Sequence, residues 1–223
     1  MKRIAEPELM NDPAQVHAYA MADFEQPHQY FIDLLLRQFP ELLRASADYA
    51  LELGCGPADI SRRFVKALSG FEVHAVDAAA NMISMANRLN QQQGLQGRIQ
   101  CHTAFIHEAC MPRPCYDVIF SNSLLHHLSK PLDLWHTINR YSRRGTRLFV
   151  MDLMRPANDE QAQTLVQQYA ANEPRILQHD FYRSLCAAYR IDEIQQQLMQ
   201  CQLHYCQIKA ISDRHLIIYG RKP

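Results

Sequence analysis

The stretch that decides the fold reads Tyr49-Ala50-Leu51-Glu52-Leu53-Gly54-Cys55-Gly56-Pro57-Ala58-Asp59, with the amphipathic run ISRRFVKAL following from Ile60. A short apolar run, a sharp loop and a helical pattern in that order predict strand, turn and helix. Only seven glycines occur in 223 residues, yet two of them, Gly54 and Gly56, fall directly after the first strand. Glycine concentrated there marks a backbone that bends sharply or comes close to a ligand. In an open parallel sheet this loop lies at the carboxyl end of its strand, where ligands bind.

Outward from the loop the alternation continues. FEVHAVD (71–77) and ANMISMANRLNQQQ (80–93) predict the next strand and helix, and RIQCHT (98–103) and YDVIFSN (116–122) two further strands. A helix over PLDLWHTINRYS (131–142) and a strand over RLFVMDL (147–153) complete the run. Strands separated by helices need parallel crossovers, so the fold class is α/β, a doubly wound sheet with helices on both faces. Residues 157–200 break the rhythm with consecutive helical patterns, AQTLVQQYAA, RSLCAAY and IDEIQQQLMQC. LHYCQIKAI and HLIIYGRK then close the chain, joined by a connection too short for a helix, and are expected to pair as an antiparallel hairpin. Before the core, residues 13–44 predict two helices. The expected organisation is a single domain: a helical cap over 1–45, a ligand-binding core over 46–153, a helical lid over 154–195, and a closing helix end and hairpin over 196–223.

Composition narrows the partners. Lys plus Arg equals Asp plus Glu, 23 against 23, so no long-range field gathers polyanions. No DNA partner and no anionic-membrane anchor are expected. No apolar run approaches the roughly 18 residues of a spanning helix, and the first residues lack the apolar centre of a signal peptide, which makes a cytoplasmic address the expectation. Seven scattered cysteines suit reduced thiols, and none of their spacings suits zinc. No metal is expected. The glutamine runs Gln91 to Gln93 and Gln195 to Gln197 read as solvated helix faces.

Asp59 stands where a dinucleotide fingerprint places its third glycine, and Glu52 ends the preceding strand one residue before Leu53. Acids on both sides of the loop suit a cationic ligand better than a diphosphate. Asp77, twenty-three residues after Gly54, ends the second strand, where a carboxylate can accept both hydroxyls of a ribose. Nicotinamide-binding folds share that acid.

LELGCGPADISRRF, VHAVDAAANMISMANR and YDVIFSNSLLHHL together resemble the successive motifs of class I S-adenosylmethionine-dependent methyltransferases, most closely the small-molecule, ubiquinone/menaquinone-biosynthesis-like branch. The likeness spans about residues 45 to 153. It implies a Rossmann-like seven-stranded sheet with a reversed final strand, S-adenosyl-L-methionine as cofactor and a small-molecule methyl acceptor. By the same resemblance Gly54, Cys55 and Gly56 surround the methionine moiety, and Glu52 lies under its amino group or orients the loop. Asp77 holds the ribose, Ala78 and Met82 flank adenine or ribose, and Asn122 with Leu125 approach the methionine. Ala104 and Phe105 fall at the adenine, with Phe105 where many relatives carry an aspartate.

Methyl transfer from a sulfonium is an in-line displacement, so the protein chiefly aligns nucleophile, methyl and sulfur, and a base is needed only for a protonated acceptor. His126 is the candidate base. His127, Arg155, Tyr19 and Tyr182 beside Arg183 are candidate acceptor contacts, and His215 is read as punctuation of the hairpin. Neighbouring histidines such as His126 and His127 are not expected to converge on one ion. Two other functions share the glycine loop: a cofactor-binding partner protein without turnover, and a methyltransferase acting on RNA. A nicotinamide-dependent oxidoreductase is disfavoured by Asp59.

Overall fold

The computed structural model describes residues 1–6, 16 and 24–223. Seven strands form one sheet: β1 (Asp48–Leu53), β2 (Phe71–Asp77), β3 (Ile99–Thr103), β4 (Tyr116–Asn122), β5 (Ser142–Leu153), β6 (Gln207–Ala210) and β7 (His215–Arg221). Their order is β3-β2-β1-β4-β5-β7-β6. The first five run parallel, and β7 is antiparallel to both β5 and β6. This is the Rossmann-like sheet with a reversed terminal hairpin that the sequence led us to expect. The chain turns back between β1 and β4, so a crevice opens at the carboxyl ends of those two strands.

Around the sheet lie α1 (Glu25–Gln38), α2 (Asp59–Ala67), α3 (Ala80–Gln92), α4 (Leu132–Tyr141), α5 (Asp159–Ala170), α6 (Arg175–Ala187) and α7 (Ile191–Gln200), with short 3-10 turns at Pro40–Arg44 and Leu125–His127. Alternation along the strands divides the core in two. Phe120 and Phe149 face the α1–α3 side, where Phe120 stacks on Phe64 at 4.9 Å and Phe149 meets the edge of Phe31 at 5.0 Å. Ile119, Leu148 and Val150 face the other side, against Trp135 of α4 and Leu198 of α7.

Several boundaries differ from the sequence reading for local reasons. Helix α1 begins at Glu25 and stops at Gln38, because Pro40 cannot continue the ladder and starts a 3-10 turn instead. β5 begins at Ser142, five residues before the apolar run, since its exposed start still pairs with Tyr116 of β4. Leu203 to Cys206 form turns that satisfy the end of α7 rather than strand, with Gln202 in the left-handed region at φ 57° and the Leu203 amide donating to the Leu198 carbonyl. The expected helix over residues 15–24 lies outside the described residues apart from Val16 and Phe24, and Tyr19 with it. Gln91 to Gln93 are exposed as expected, but Gln197 is buried and accepts a hydrogen bond from the indole of Trp135 at 2.9 Å. All seven cysteines are free thiols. Among the described residues no helix is long and apolar enough to cross a membrane.

Candidate active site

The glycine loop is held by backbone on one side and a carboxylate on the other. The Val76 carbonyl accepts from the amides of Gly54 at 2.8 Å and Cys55 at 3.1 Å. Asp77 accepts from the Gly56 amide through Oδ2 and from the Ala79 amide through Oδ1, each at 2.8 Å. Burial pushes the Asp77 carboxyl up, against the pull of these two amides. Each oxygen keeps a second lone pair that can accept from a ligand hydroxyl. Gly54 has φ +72° and Gly56 φ +51°, and two residues with side chains nearby, Ala58 at 60° and Ser123 at 55°, also sit in the left-handed region. Such strain, gathered at the facing ends of β1 and β4, marks a segment built around something other than its own stability.

A cavity of about 1240 Å³ opens there. Of the residues singled out in the sequence, Glu52, Gly54, Cys55, Gly56, Asp77 and Ala78 line it. Met82, Phe105, Asn122, His126 and His127 do so as well. Leu177, Phe181 and Ser184 of α6 bound it on one side, and Pro27, His28 and Tyr30 of α1 on another.

Four expected side chains are placed elsewhere. Ala104 pairs its amide with the Asp77 carbonyl, and its neighbour Phe105 faces the cavity. Leu125 is buried in the α4 side of the core, and Leu124, one residue earlier, lies over Gly54. Arg155 is buried and bound to Glu193 at 2.6 Å and to the Ala188 carbonyl, so it ties the exit of β5 to α7 and faces no acceptor. Tyr182 donates to Asp159, joining α6 to α5.

The electrostatics also differ from the reading of two free acids. Glu52 is 1% exposed, and burial drives its carboxyl well above the carboxylate range, with the Ser61 hydroxyl as its hydrogen-bond partner. Asp59 is enclosed by His28 at 2.9 Å and by the guanidinium groups of Arg63 at 2.8 Å and Arg62 at 3.4 Å; against burial, hydrogen bonds from His28 and Arg63 hold it well below the usual range. Neither offers an uncompensated charge to the cavity, and Asp77 carries that part.

Behind the wall that His126 and His127 form stand two residues the sequence did not single out, Asp152 and Glu6. His126 is 2% exposed, and its Nδ1 meets Asp152 Oδ1 at 2.6 Å. Asp152 is 1% exposed and also accepts from the Leu125 amide at 2.7 Å. Although burial opposes it, Asp152 raises the His126 pKa above its ordinary value. Glu6, from the amino-terminal segment, lies 3.0 Å from His127 Nδ1 and 3.7 Å from His126 Nε2. Burial works against ionisation of Glu6, yet His127 and His126 bring its pKa below the ordinary value. Arg3 fixes that segment by donating to the carbonyls of Ala187, His126 and Leu128. Contrary to the spacing argument, the 3-10 turn and Glu6 bring the two histidines to a common point, with one ligand atom from each residue within 4.8 Å of the others. An acid within the apolar run RLFVMDL was the available signal for Asp152, since a buried carboxylate needs partners. Glu6 had none, being 120 residues away in sequence from His126.

His215 begins β7 and lines the cavity, more than punctuating the hairpin. Burial, then the charge of Arg214, lowers its pKa to about 4, and burial does the same for His74, hydrogen-bonded to Tyr116 at 2.7 Å. Between the ordinary histidine value near 6.5 and about 4, the unfolded chain binds these two protons and the native chain does not. Each group therefore withdraws stability as pH falls through that window, with a slope of up to about 1.4 kcal/mol per pH unit. In NMR titrations His74 and His215 are expected to stay neutral at pH 5.5 while His126 is charged; protonation of either near pH 6.5 contradicts this burial.

The fold is that of class I S-adenosylmethionine-dependent methyltransferases, with the crevice where that fold carries its site. Residues 50–145 match the family model described as a methyltransferase domain, from within β1 to the start of β5. A SAM-dependent methyltransferase from Aquifex aeolicus is similar, at 16% identity and TM-score 0.67 over 94% of this chain and 97% of that one. The plantazolicin methyltransferase BpumL, bound to a triazolic desmethylPZN analog and SAH, aligns at 14% identity and TM-score 0.72 over 95% and 92%. Phosphoethanolamine N-methyltransferase 2 of Haemonchus contortus aligns at 12% identity and TM-score 0.72, this chain covering 57% of that longer one. No curated protein matches the chain.

Proposed function

We propose that the protein transfers a methyl group from S-adenosylmethionine to a small-molecule acceptor held in the same cavity. The observation that carries the reading is the Asp77 carboxylate, which fixes the glycine loop through Gly56 and keeps free lone pairs facing the cavity. The ribose hydroxyls would donate to it, the methionine would lie along Gly54, Cys55 and Gly56, and Met82 with Phe105 would flank the adenine. Glu52, buried and accepting from the Ser61 hydroxyl, would orient the loop by tying the end of β1 to the start of α2. A cavity of about 1240 Å³ exceeds the roughly 300–1,000 Å³ of a typical single-ligand pocket, which leaves room for an acceptor beside the cofactor.

Chemistry needs the acceptor atom, the methyl carbon and the sulfur in line. The new bond forms at carbon as the carbon–sulfur bond breaks, and the departing pair neutralises the sulfonium to give S-adenosylhomocysteine. Phe181, Leu177 and Met151 would keep water from this line. An acceptor that carries a proton meets His127 first, because its side chain lines the cavity and is 21% exposed against 3% for His126, with Glu6 bound to its far side at 3.0 Å. His126 therefore acts as a positioning residue behind it.

S-adenosylhomocysteine should raise the melting temperature, by about 2.7 kcal/mol of stabilisation at one hundred times its Kd. Asp77→Ala should remove most of that shift. Screening diverse acceptors for methylated product tests turnover. Full retention of the shift in Asp77→Ala would overturn the ribose contact, and cofactor binding without any product would favour a partner protein.

A further inference from the structure

We infer that Glu6, His126 and His127 form a site for a divalent transition ion of the zinc class on the wall of the cavity. Two ligand atoms each about 2.1 Å from one ion stand about 3.0 Å apart at a right angle and about 3.4 Å apart at the tetrahedral angle. Glu6 Oε1 lies 3.0 Å from His127 Nδ1 and 3.7 Å from His126 Nε2, values that bracket this range. The third separation also lies within 4.8 Å.

The donor set, two imidazole nitrogens and one carboxylate, is the type that holds an ion while leaving a position open. His126 is further prepared. Its Nδ1 is bound by the buried Asp152 carboxylate at 2.6 Å, which turns Nε2 toward Glu6. A carboxylate on the second nitrogen is the usual device for orienting a metal-binding histidine and raising its basicity. The segment that brings Glu6 is fixed by Arg3 on the turn that carries both histidines, and Ser184 steadies Glu6 Oε1 at 3.1 Å. Two carboxylates, Glu6 and Asp152, thus face a double positive charge.

His126 and His127 both line the cavity, so an open position on the ion would be reached from it. There the ion would bind an acceptor hydroxyl or thiol and release its proton to solvent, leaving the anion to attack the methyl. That role rests on the methyl-transfer reading; the ion site does not.

Metal-depleted full-length protein titrated with Co²⁺ alone tests it. The expected result is one equivalent bound, with visible d–d absorption of a low-coordinate ion. His127→Ala and Glu6→Gln, each checked for folding by circular dichroism, should weaken binding at least 100-fold. His107→Ala, at an exposed histidine near Asp133, should leave it unchanged. Binding only at millimolar Co²⁺, or equal affinity in His127→Ala, overturns the site. S-adenosylhomocysteine titrated separately keeps the two ideas apart: loss of its binding with Co²⁺ binding intact removes the methyl-transfer reading and leaves the ion site standing.

Discussion

Gly54→Ala should destabilise the fold by about 2–5 kcal/mol and abolish S-adenosylhomocysteine binding, whereas Gly56→Ala should keep the fold and lose only the ligand. The two glycines flank Cys55, and their surroundings differ. A Cβ on Gly54 would stand 2.7 Å from Leu124 Cδ1 and 2.9 Å from Leu124 Cβ, at φ +72°. Rotating Leu124 relieves the first contact but not the second, so the β4 loop must shift and the left-handed strain adds to it. At Gly56, φ +51°, a Cβ meets nothing within 4 Å. Its cost to the free protein is the conformational strain, about 1–2 kcal/mol. That Cβ projects where a ligand cradled by the loop would lie, and affinity should fall by 100-fold or more. Denaturant unfolding and S-adenosylhomocysteine calorimetry on both variants give the two readouts. Undiminished affinity in Gly56→Ala would show that the loop does not touch the cofactor.

The same residues show how far the sequence could be read. Strands β2 and β4 fall where their apolar runs begin and end, since an interior parallel strand is buried on both faces and leaves an uninterrupted signal. The glycine loop and Asp77 were legible because backbone geometry and strand ends constrain residue type. Charge was not. Asp59 and Glu52 read alike as acids, but one is enclosed by His28, Arg62 and Arg63 and the other is buried with Ser61, partners that only the tertiary fold supplies. Arg155 and Tyr182 stand outside the cavity lining for the same reason, each finding a carboxylate on a neighbouring helix. Glu6 and His126 meet across 120 residues, a distance that no local pattern spans.

Trp135→Ala should cost the domain about 3–5 kcal/mol, enough to unfold much of it near 37 °C. Trp135, the one tryptophan in the chain, is completely buried on the side of the sheet away from α1, so truncation leaves a large cavity between α4, the strands and α7. It also strands the Gln197 side chain, 7% exposed, without the indole donor at 2.9 Å. The unpaired buried amide accounts for ~1–3 kcal/mol of that total. Trp135→Phe separates the two contributions, because it keeps most of the ring volume and removes only the donor. It should lose about 1–3 kcal/mol. Adding Gln197→Leu to Trp135→Phe should then restore stability, since replacing both partners with apolar groups removes the stranded amide, while Gln197→Leu alone should destabilise. Urea midpoints followed by far-ultraviolet circular dichroism, at unchanged slope, measure all four variants. If the double variant is no more stable than Trp135→Phe, the glutamine is satisfied by something other than the indole.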